Sequence, residues 1–329
     1  MKNIALVGPF HQTICAAFKN ALPTDFELIT VSDEKDYSAI SQADYIVNRT
    51  FKLNAEHLRE AKNLRLVQKW GAGYDNIDAA GIATLDIPVA ICAGINAQPV
   101  AELTVLHMLA VLRNICALDK HLKNGKWPRD EYIPKSYLLG GKTVGLVGLG
   151  NIGKKVATLV KAFGSTVVYY DAYRMTVDEE NSIGVKYMAL DELLNASDIV
   201  SLHLPLNKDT ENFFNSDKLS KMKCGSILIN TSRGGIVNER DLAIAIEQNH
   251  IMGAGLDAMS FEPPAEDCPL LKLERVILTP HVGGNTADNE MKMVERCVDN
   301  IQRIEQKRPL RRKELVNQNG LRTHLETEE

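Results

Sequence analysis

Thr143-Val144-Gly145-Leu146-Val147-Gly148-Leu149-Gly150-Asn151-Ile152-Gly153 decides how this chain is read. A short β-branched run flows into Gly-x-Gly-x-x-Gly, and the amphipathic segment Lys154 to Phe163 follows. In that order the three glycines allow a tight turn, a close approach of backbone to a pyrophosphate, and close packing of helix on strand. The unpaired N–H groups of the helix start then face the phosphates. The next strand ends at Asp171, whose carboxylate can accept hydrogen bonds from the two adenosine ribose hydroxyls and repel a 2′-phosphate. The expected cofactor is NAD, with NADP less favoured. Arg174, three positions on, keeps NADP open, either by lying over the adenine or by admitting the extra phosphate.

Outward from this turn, short apolar runs alternate with amphipathic segments, the pattern of an α/β protein with parallel sheets. Strands are expected at Asn3–Val7, Phe26–Val31, Tyr45–Val47, Leu64–Lys69 and Val89–Ile91, then at Thr143–Val147, Thr166–Tyr170, Ile199–Leu202, Ser226–Asn230, Gly253–Leu256 and Val276–Thr279. These make two open sheets of five and about six strands, of which only the second carries the glycine turn. Between them, Pro99 to about Gly125 reads as one helix, apolar on nearly every side, that is either buried between domains or packed on a second subunit. Helical period returns from Thr286 to Arg308, and Asn317 to Glu329 is polar and expected to fray. If the late helix rejoins the first sheet, the domains are 1–98 with 285–329, and 99–284.

Composition narrows the class. The chain has 329 residues, 45% hydrophobic and 24% charged, enough for two domains and unlike a disordered or fibrous protein. No run approaches the roughly 18 apolar residues of a membrane span, and Ile4 to Val7 ends at Gly8-Pro9, too short for a signal-peptide core. A cytoplasmic location without membrane contact is expected. With a net charge of −4, the basic run Lys307, Arg308, Arg311, Arg312, Lys313 reads as solvated surface rather than a nucleic-acid footprint. Cys15, Cys92, Cys116, Cys224, Cys268 and Cys297 show no CxxC pair and no zinc spacing, so no metal is expected.

A nicotinamide cofactor moves a hydride; the protein supplies proton transfer and substrate orientation. Three residues at strand ends of the second sheet suit those tasks. Arg233, in Asn-Thr-Ser-Arg-Gly-Gly, is a planar bidentate donor for a substrate carboxylate. His281, after Thr279-Pro280, titrates near neutrality, and Glu262, before Pro263-Pro264, can hold its ring and favour the protonated form. Ligands of open α/β sheets gather at such carboxyl ends.

These residues and their surroundings resemble the D-isomer-specific 2-hydroxyacid dehydrogenases. The motifs, spread over nearly the whole chain, are Trp70-Gly71-Ala72-Gly73-Tyr74-Asp75-Asn76-Ile77-Asp78, Val100-Ala101-Glu102-Leu103-Thr104, the glycine turn, Leu204-Pro205, Asn230 to Gly235, Gly255-Leu256-Asp257, Glu262-Pro263 and Thr279 to Gly284. The resemblance implies a flavodoxin-like substrate domain built from both chain ends, a Rossmann NAD domain, a cleft between them whose closure excludes water, and a homodimer formed through the helix near Pro99. It implies that Arg233 binds the substrate carboxylate, that His281 transfers the proton, and that Glu262 tunes it. Gly148, Gly150, Asn151, Ile152, Gly153, Asp171, Thr104, Leu204, Pro205, Thr210, Thr231, Ser232, Arg233, Asp257, His281 and Gly283 would line the cofactor, Asp257 at the nicotinamide carboxamide. Ala72 and Gly73 would offer backbone N–H groups to the substrate, while Arg49, Thr50 and Phe51 would select its tail.

Departures from the family pattern narrow the substrate. Ala258-Met259-Ser260-Phe261 replaces a frequent Val-Phe-Glu, so the wall facing the cofactor is expected to differ. Formate-oxidising relatives carry glutamine in place of Glu262, and phosphite-oxidising ones a lysine in place of Ala72, which disfavours both substrates. A glyoxylate or hydroxypyruvate reductase-like activity is expected. The alternatives are a phosphoglycerate dehydrogenase-like enzyme, which would use arginines near Val47 to Phe51 and for whose regulatory domain the chain reads as too short, and a non-catalytic, corepressor-like NAD(H) sensor.

Overall fold

The computed structural model describes residues 1–323 and 325–328. They form two compact units, Met1–Asn96 with Asn285–Glu329, and Ala97–Gly284.

The first unit holds β1 (Lys2–Val7), β2 (Phe26–Val31), β3 (Tyr45–Asn48), β4 (Leu66–Lys69) and β5 (Val89–Ala90), parallel and in the order β2-β1-β3-β4-β5. This is the flavodoxin-like order. Strands of a sheet covered on both faces are apolar at successive positions. In β1, Ile4 and Leu6 face one cluster with Phe18, Tyr45 and Trp70, whereas Ala5 and Val7 face another with Ile40, Ile46 and Val67. The helix Ala287–Glu305 covers the first cluster with Met293, Val294, Cys297, Val298 and Ile301.

The second unit holds β6 (Thr143–Val147), β7 (Thr166–Tyr170), β8 (Lys186–Tyr187), β9 (Ile199–Leu202), β10 (Ser226–Asn230), β11 (Ile251–Leu256) and β12 (Val276–Leu278). Its order is β12-β11-β10-β9-β6-β7-β8, the Rossmann arrangement with one added strand. The sheet has seven strands rather than about six, because β8 is a two-residue edge strand whose Lys186 and Tyr187 carry no buried-strand pattern.

Two further expectations are corrected. The region after Pro99 is two helices, Ala97–Leu112 and Ile115–Lys123, meeting at 62°. Asn114 breaks the run at φ 52°, a left-handed conformation that asparagine tolerates better than most side chains. The pair is also not apolar-buried all round: Leu106, Ile115 and Leu122 are exposed, while Ala101, Val105, Met108 and Val111 pack into the core of this unit. The end of the chain, where fraying was expected, is docked instead. β13 (Leu310–Arg311) pairs with β14 (Thr327–Glu328), and Asn317 is buried, its Oδ1 accepting from Val89 N–H at 2.8 Å and its Nδ2 donating to Ile87 O at 2.9 Å. His324 and Glu329, part of that fraying segment, lie outside the described residues.

Candidate active site

The glycine turn joins β6 to the helix Asn151–Ala162, and its three glycines answer three different constraints. Gly148 sits at φ +99°, where a Cβ would come within 2.5 Å of His203 O. A Cβ on Gly153 would meet Gly148 O at 2.4 Å, so helix and strand could not pack as they do. Gly150 has nothing within 4 Å of its Cβ position, which leaves open space over the backbone, and as N-cap it offers no side chain to the helix N–H groups. Open backbone donors at the positive end of a helix dipole suit a pyrophosphate.

Asp171 follows β7. Its Oδ2 accepts from Leu149 N–H at 2.7 Å and its Oδ1 from Tyr173 N–H at 3.0 Å. A carboxylate has about four acceptor positions, so one on each oxygen stays available for a ribose hydroxyl. Arg174 does not stand over this site as a loose cation, as the sequence reading allowed; its guanidinium is bonded to Glu180.

Proton chemistry is set up in the loops that follow β10, β11 and β12. Glu262 grips His281, with Nδ1 at 2.8 Å from Oε2 and 3.0 Å from Oε1. Burial opposes ionisation of Glu262, but the hydrogen bond and charge of His281, the Met259 N–H and the charge of Arg233 outweigh it and hold the carboxyl below its usual range. Nδ1 of the ring is thus committed to the carboxylate. The side chains of His281 and Glu262 are 46% and 40% exposed, enough for substrate and solvent protons to reach them.

His281 adopts φ 51°, and Asp257 supports that turn. Asp257 is buried; its Oδ1 accepts from Val282 N–H (2.9 Å) and Thr279 Oγ1–H (2.6 Å), its Oδ2 from Gly283 N–H (2.8 Å), and its carbonyl from His281 N–H (2.9 Å). A Cβ on Gly283 would lie 2.9 Å from Asp257 Oδ2, so the residue there must stay small. Behind it, His107 Nε2 lies 3.2 Å from Thr279 Oγ1. The threonine proton is spent on Asp257, which assigns the hydrogen of this contact to Nε2, and burial lowers the pKa of the ring.

Arg233 leaves β10 in a loop braced by Asn230. The Asn230 Oδ1 accepts from Ser232 N–H (3.1 Å) and Oγ–H (2.7 Å), while its Nδ2 donates to Arg233 O at 2.8 Å. Gly234 lets the loop against Met259, for a Cβ there would fall 1.8 Å from Met259 O. Thr104 and Thr231, both buried, share a hydrogen bond of 2.7 Å, and Thr210 closes the Leu204-Pro205 loop by donating to Pro205 O at 2.6 Å.

The remaining sequence candidates belong to the first unit. Thr50 is exposed beside Gly8, and Ala72 and Gly73 are half-buried beyond β4. Arg49 is largely spent within its own unit: Nη1 donates to Pro9 O at 2.9 Å, Nη2 lies 3.7 Å from Glu290, and the guanidinium covers Phe10. Sequence reasoning passed over Asn230, Thr279, His107 and Glu180. The Asn-Thr-Ser spacing is itself an Asx-turn signal, and a histidine on a buried helical face was the only trace of the hydrogen bonds that join His107, Thr279 and Asp257.

Comparison with known proteins follows the same lines. Residues 105–283 match the family described as "D-isomer specific 2-hydroxyacid dehydrogenase, NAD binding domain". The chain belongs to this family. The dehydrogenase is 37% identical over 255 residues to a glyoxylate reductase of Korarchaeum cryptofilum, covering 77% of this chain and 76% of that one. It is 36% identical over 282 residues to a hydroxypyruvate reductase of Thermotoga maritima, covering 84% and 90%. Among solved structures, the D-lactate dehydrogenase of Aquifex aeolicus, complexed with NAD and lactic acid, superposes with a TM-score of 0.83 at 27% identity, covering 93% of this chain and 96% of that one. The dehydrogenase is NAD-dependent, and the glycine turn with Asp171 has the donors and the space that this cofactor requires. Among the described residues no group of three or more His, Cys, Asp or Glu could hold a metal ion, and no single helix is long and apolar enough to cross a membrane.

Proposed function

We propose that this dehydrogenase reduces a small 2-oxo acid of the glyoxylate or hydroxypyruvate kind and, in reverse, oxidises the D-2-hydroxy acid. The observation that carries the reading is the 2.8 Å pairing of His281 Nδ1 with Glu262, beside the charge of Arg233. When bound, NADH supplies a hydride for the substrate carbonyl carbon. Arg233 takes the substrate carboxylate in its fork and draws charge from the adjacent carbonyl. His281 passes the Nε2 proton to the carbonyl oxygen, so C=O becomes CH–OH, and the neutral ring regains a proton from solvent. Glu262 keeps the protonated ring oriented and charge-balanced. Ala72 and Gly73 enter as backbone donors to the carboxylate. Thr104, Leu204, Pro205, Thr210, Thr231, Ser232 and Gly283 enter as the cofactor's lining, and Asp257, with three of its four acceptor positions filled, keeps one for the carboxamide.

Arg49 is paired with Glu290, which supports a short, uncharged substrate tail over a phosphorylated one. The relatives named glyoxylate and hydroxypyruvate reductases support the same choice. Exposed Leu106, Ile115, Leu122 and Trp127 support burial against a second copy, hence a homodimer, and the reading places the enzyme in the cytoplasm. Following NADH absorbance with a panel of 2-oxo acids tests the function. Glyoxylate or hydroxypyruvate should turn over, and His281→Ala should lose at least about 10²-fold in turnover while NADH still binds. A flat trace with every acid, or equal loss of turnover and binding, overturns the reading.

A further inference from the structure

Arg174 follows directly on the turn in which Asp171 Oδ1 accepts from Tyr173 N–H at 3.0 Å. Its Nε donates to Glu180 Oε1 at 2.9 Å, one Nη donates to Glu180 Oε2 at 3.3 Å, and the guanidinium carbon sits 4.7 Å from the centre of the Tyr187 ring. Two of its five N–H donors and one face of the cation are therefore occupied.

Glu180 holds its side firmly. Its side chain is only 9% exposed, against 53% for Arg174, and Arg174 is its one cationic partner among the described residues. Tyr169 donates its hydroxyl to Glu180 Oε1 at 2.9 Å and accepts from Met175 N–H at 3.1 Å, which pins the backbone next to Arg174. The Arg174 hydrogen bonds, helped by Tyr169, keep the Glu180 carboxyl below its usual range, so it is charged at neutral pH. To swing away toward a 2′-phosphate, Arg174 would have to leave that nearly buried carboxylate without its counter-charge, which its surroundings disfavour.

We propose that Glu180 is a cofactor-specificity residue: it sequesters Arg174 and so denies a 2′-phosphate the cation that would otherwise offset Asp171. The proposal rests on the reading of the glycine turn and Asp171 as the adenosine end of the NAD site. Asp171 repels the phosphate directly, and Glu180 removes the remedy. Preference for NAD is then the work of two acids, one of them not facing the cofactor.

Titration calorimetry of the full chain with ADP and with 2′,5′-ADP tests this without catalysis. Native protein should bind ADP the more tightly. Glu180→Gln, which keeps the shape and the Tyr169 contact, should raise affinity for 2′,5′-ADP about tenfold and change that for ADP less than about twofold. Adding Arg174→Ala should cancel the gain. In the native background Arg174→Ala alone should leave 2′,5′-ADP affinity unchanged, a result that does not depend on Glu180→Gln folding. A loss there, or a Glu180→Gln effect equal for both nucleotides or absent, overturns the latch while leaving the NAD site standing. Failure of native protein to bind either nucleotide overturns both.

Discussion

In the proposed reaction His281 and Arg233 divide the work, and replacements should separate the two shares. Arg233→Lys keeps the charge but loses the planar fork, so kcat/KM for the 2-oxo acid should fall by about 10²-fold, mostly through KM, with NADH affinity retained in a fluorescence titration. Glu262→Gln leaves the ring a hydrogen-bond partner but no counter-charge, and should lower kcat far more than it changes KM. His203 carries a different signature. Its Nε2 reaches Ser201 Oγ at 3.0 Å, its Nδ1 is buried without a partner among the described residues, and burial pushes its pKa from 6.5 down to about 4. Below about 6.5 the unfolded chain binds a proton that the native ring refuses, so stability is full above that pH and declines as pH falls toward about 4, by roughly 3 kcal/mol at most. Denaturant midpoints for His203→Gln should show a flatter acid slope between those limits; an unchanged slope would mean that the ring ionises freely in the native state.

Elements place these side chains through close contacts that a single methyl would disturb. Gly234→Ala puts a Cβ into Met259 O and should push apart the loops bearing Arg233 and Glu262, lowering kcat/KM by about 10²-fold and lowering the melting temperature as well, since Ser232 and Met259 on either side of the contact are buried. Much of this was legible beforehand. The strands of the second sheet read clearly because parallel, doubly covered strands leave unbroken apolar runs, as in Ile199–Leu202, and the Arg, Glu and His of the site stand where those runs end. What escaped has physical reasons. Apolar residues continue through Arg113-Asn114, so periodicity alone could not show that Asn114 turns left-handed. Asn317 reads as polar surface, yet its amide is buried because the backbone at Ile87 and Val89 needs partners. The Glu180–Arg174 fork links residues six apart with no motif to announce it.

At the scale of the molecule, the exposed leucines of the paired helices give a direct test of assembly. Leu106→Glu with Leu122→Glu should convert the proposed dimer to a monomer in sedimentation equilibrium; a native protein already monomeric would refute the proposal. The first unit is sewn from both ends of the chain, and its core face over Phe18, Tyr45 and Trp70 is roofed by Met293, Val294, Cys297 and Ile301. During synthesis that roof follows the whole of the second unit. The contiguous middle, Ala97–Gly284, has all its strands on leaving the ribosome, whereas the opening segment must wait with an oily surface uncovered through most of translation. Ribosome-stalled chains whose residues up to about Gly284 have cleared the exit tunnel should thus carry a protease-resistant centre and a labile beginning, and emergence of the helix Ala287–Glu305 should bring protection to both.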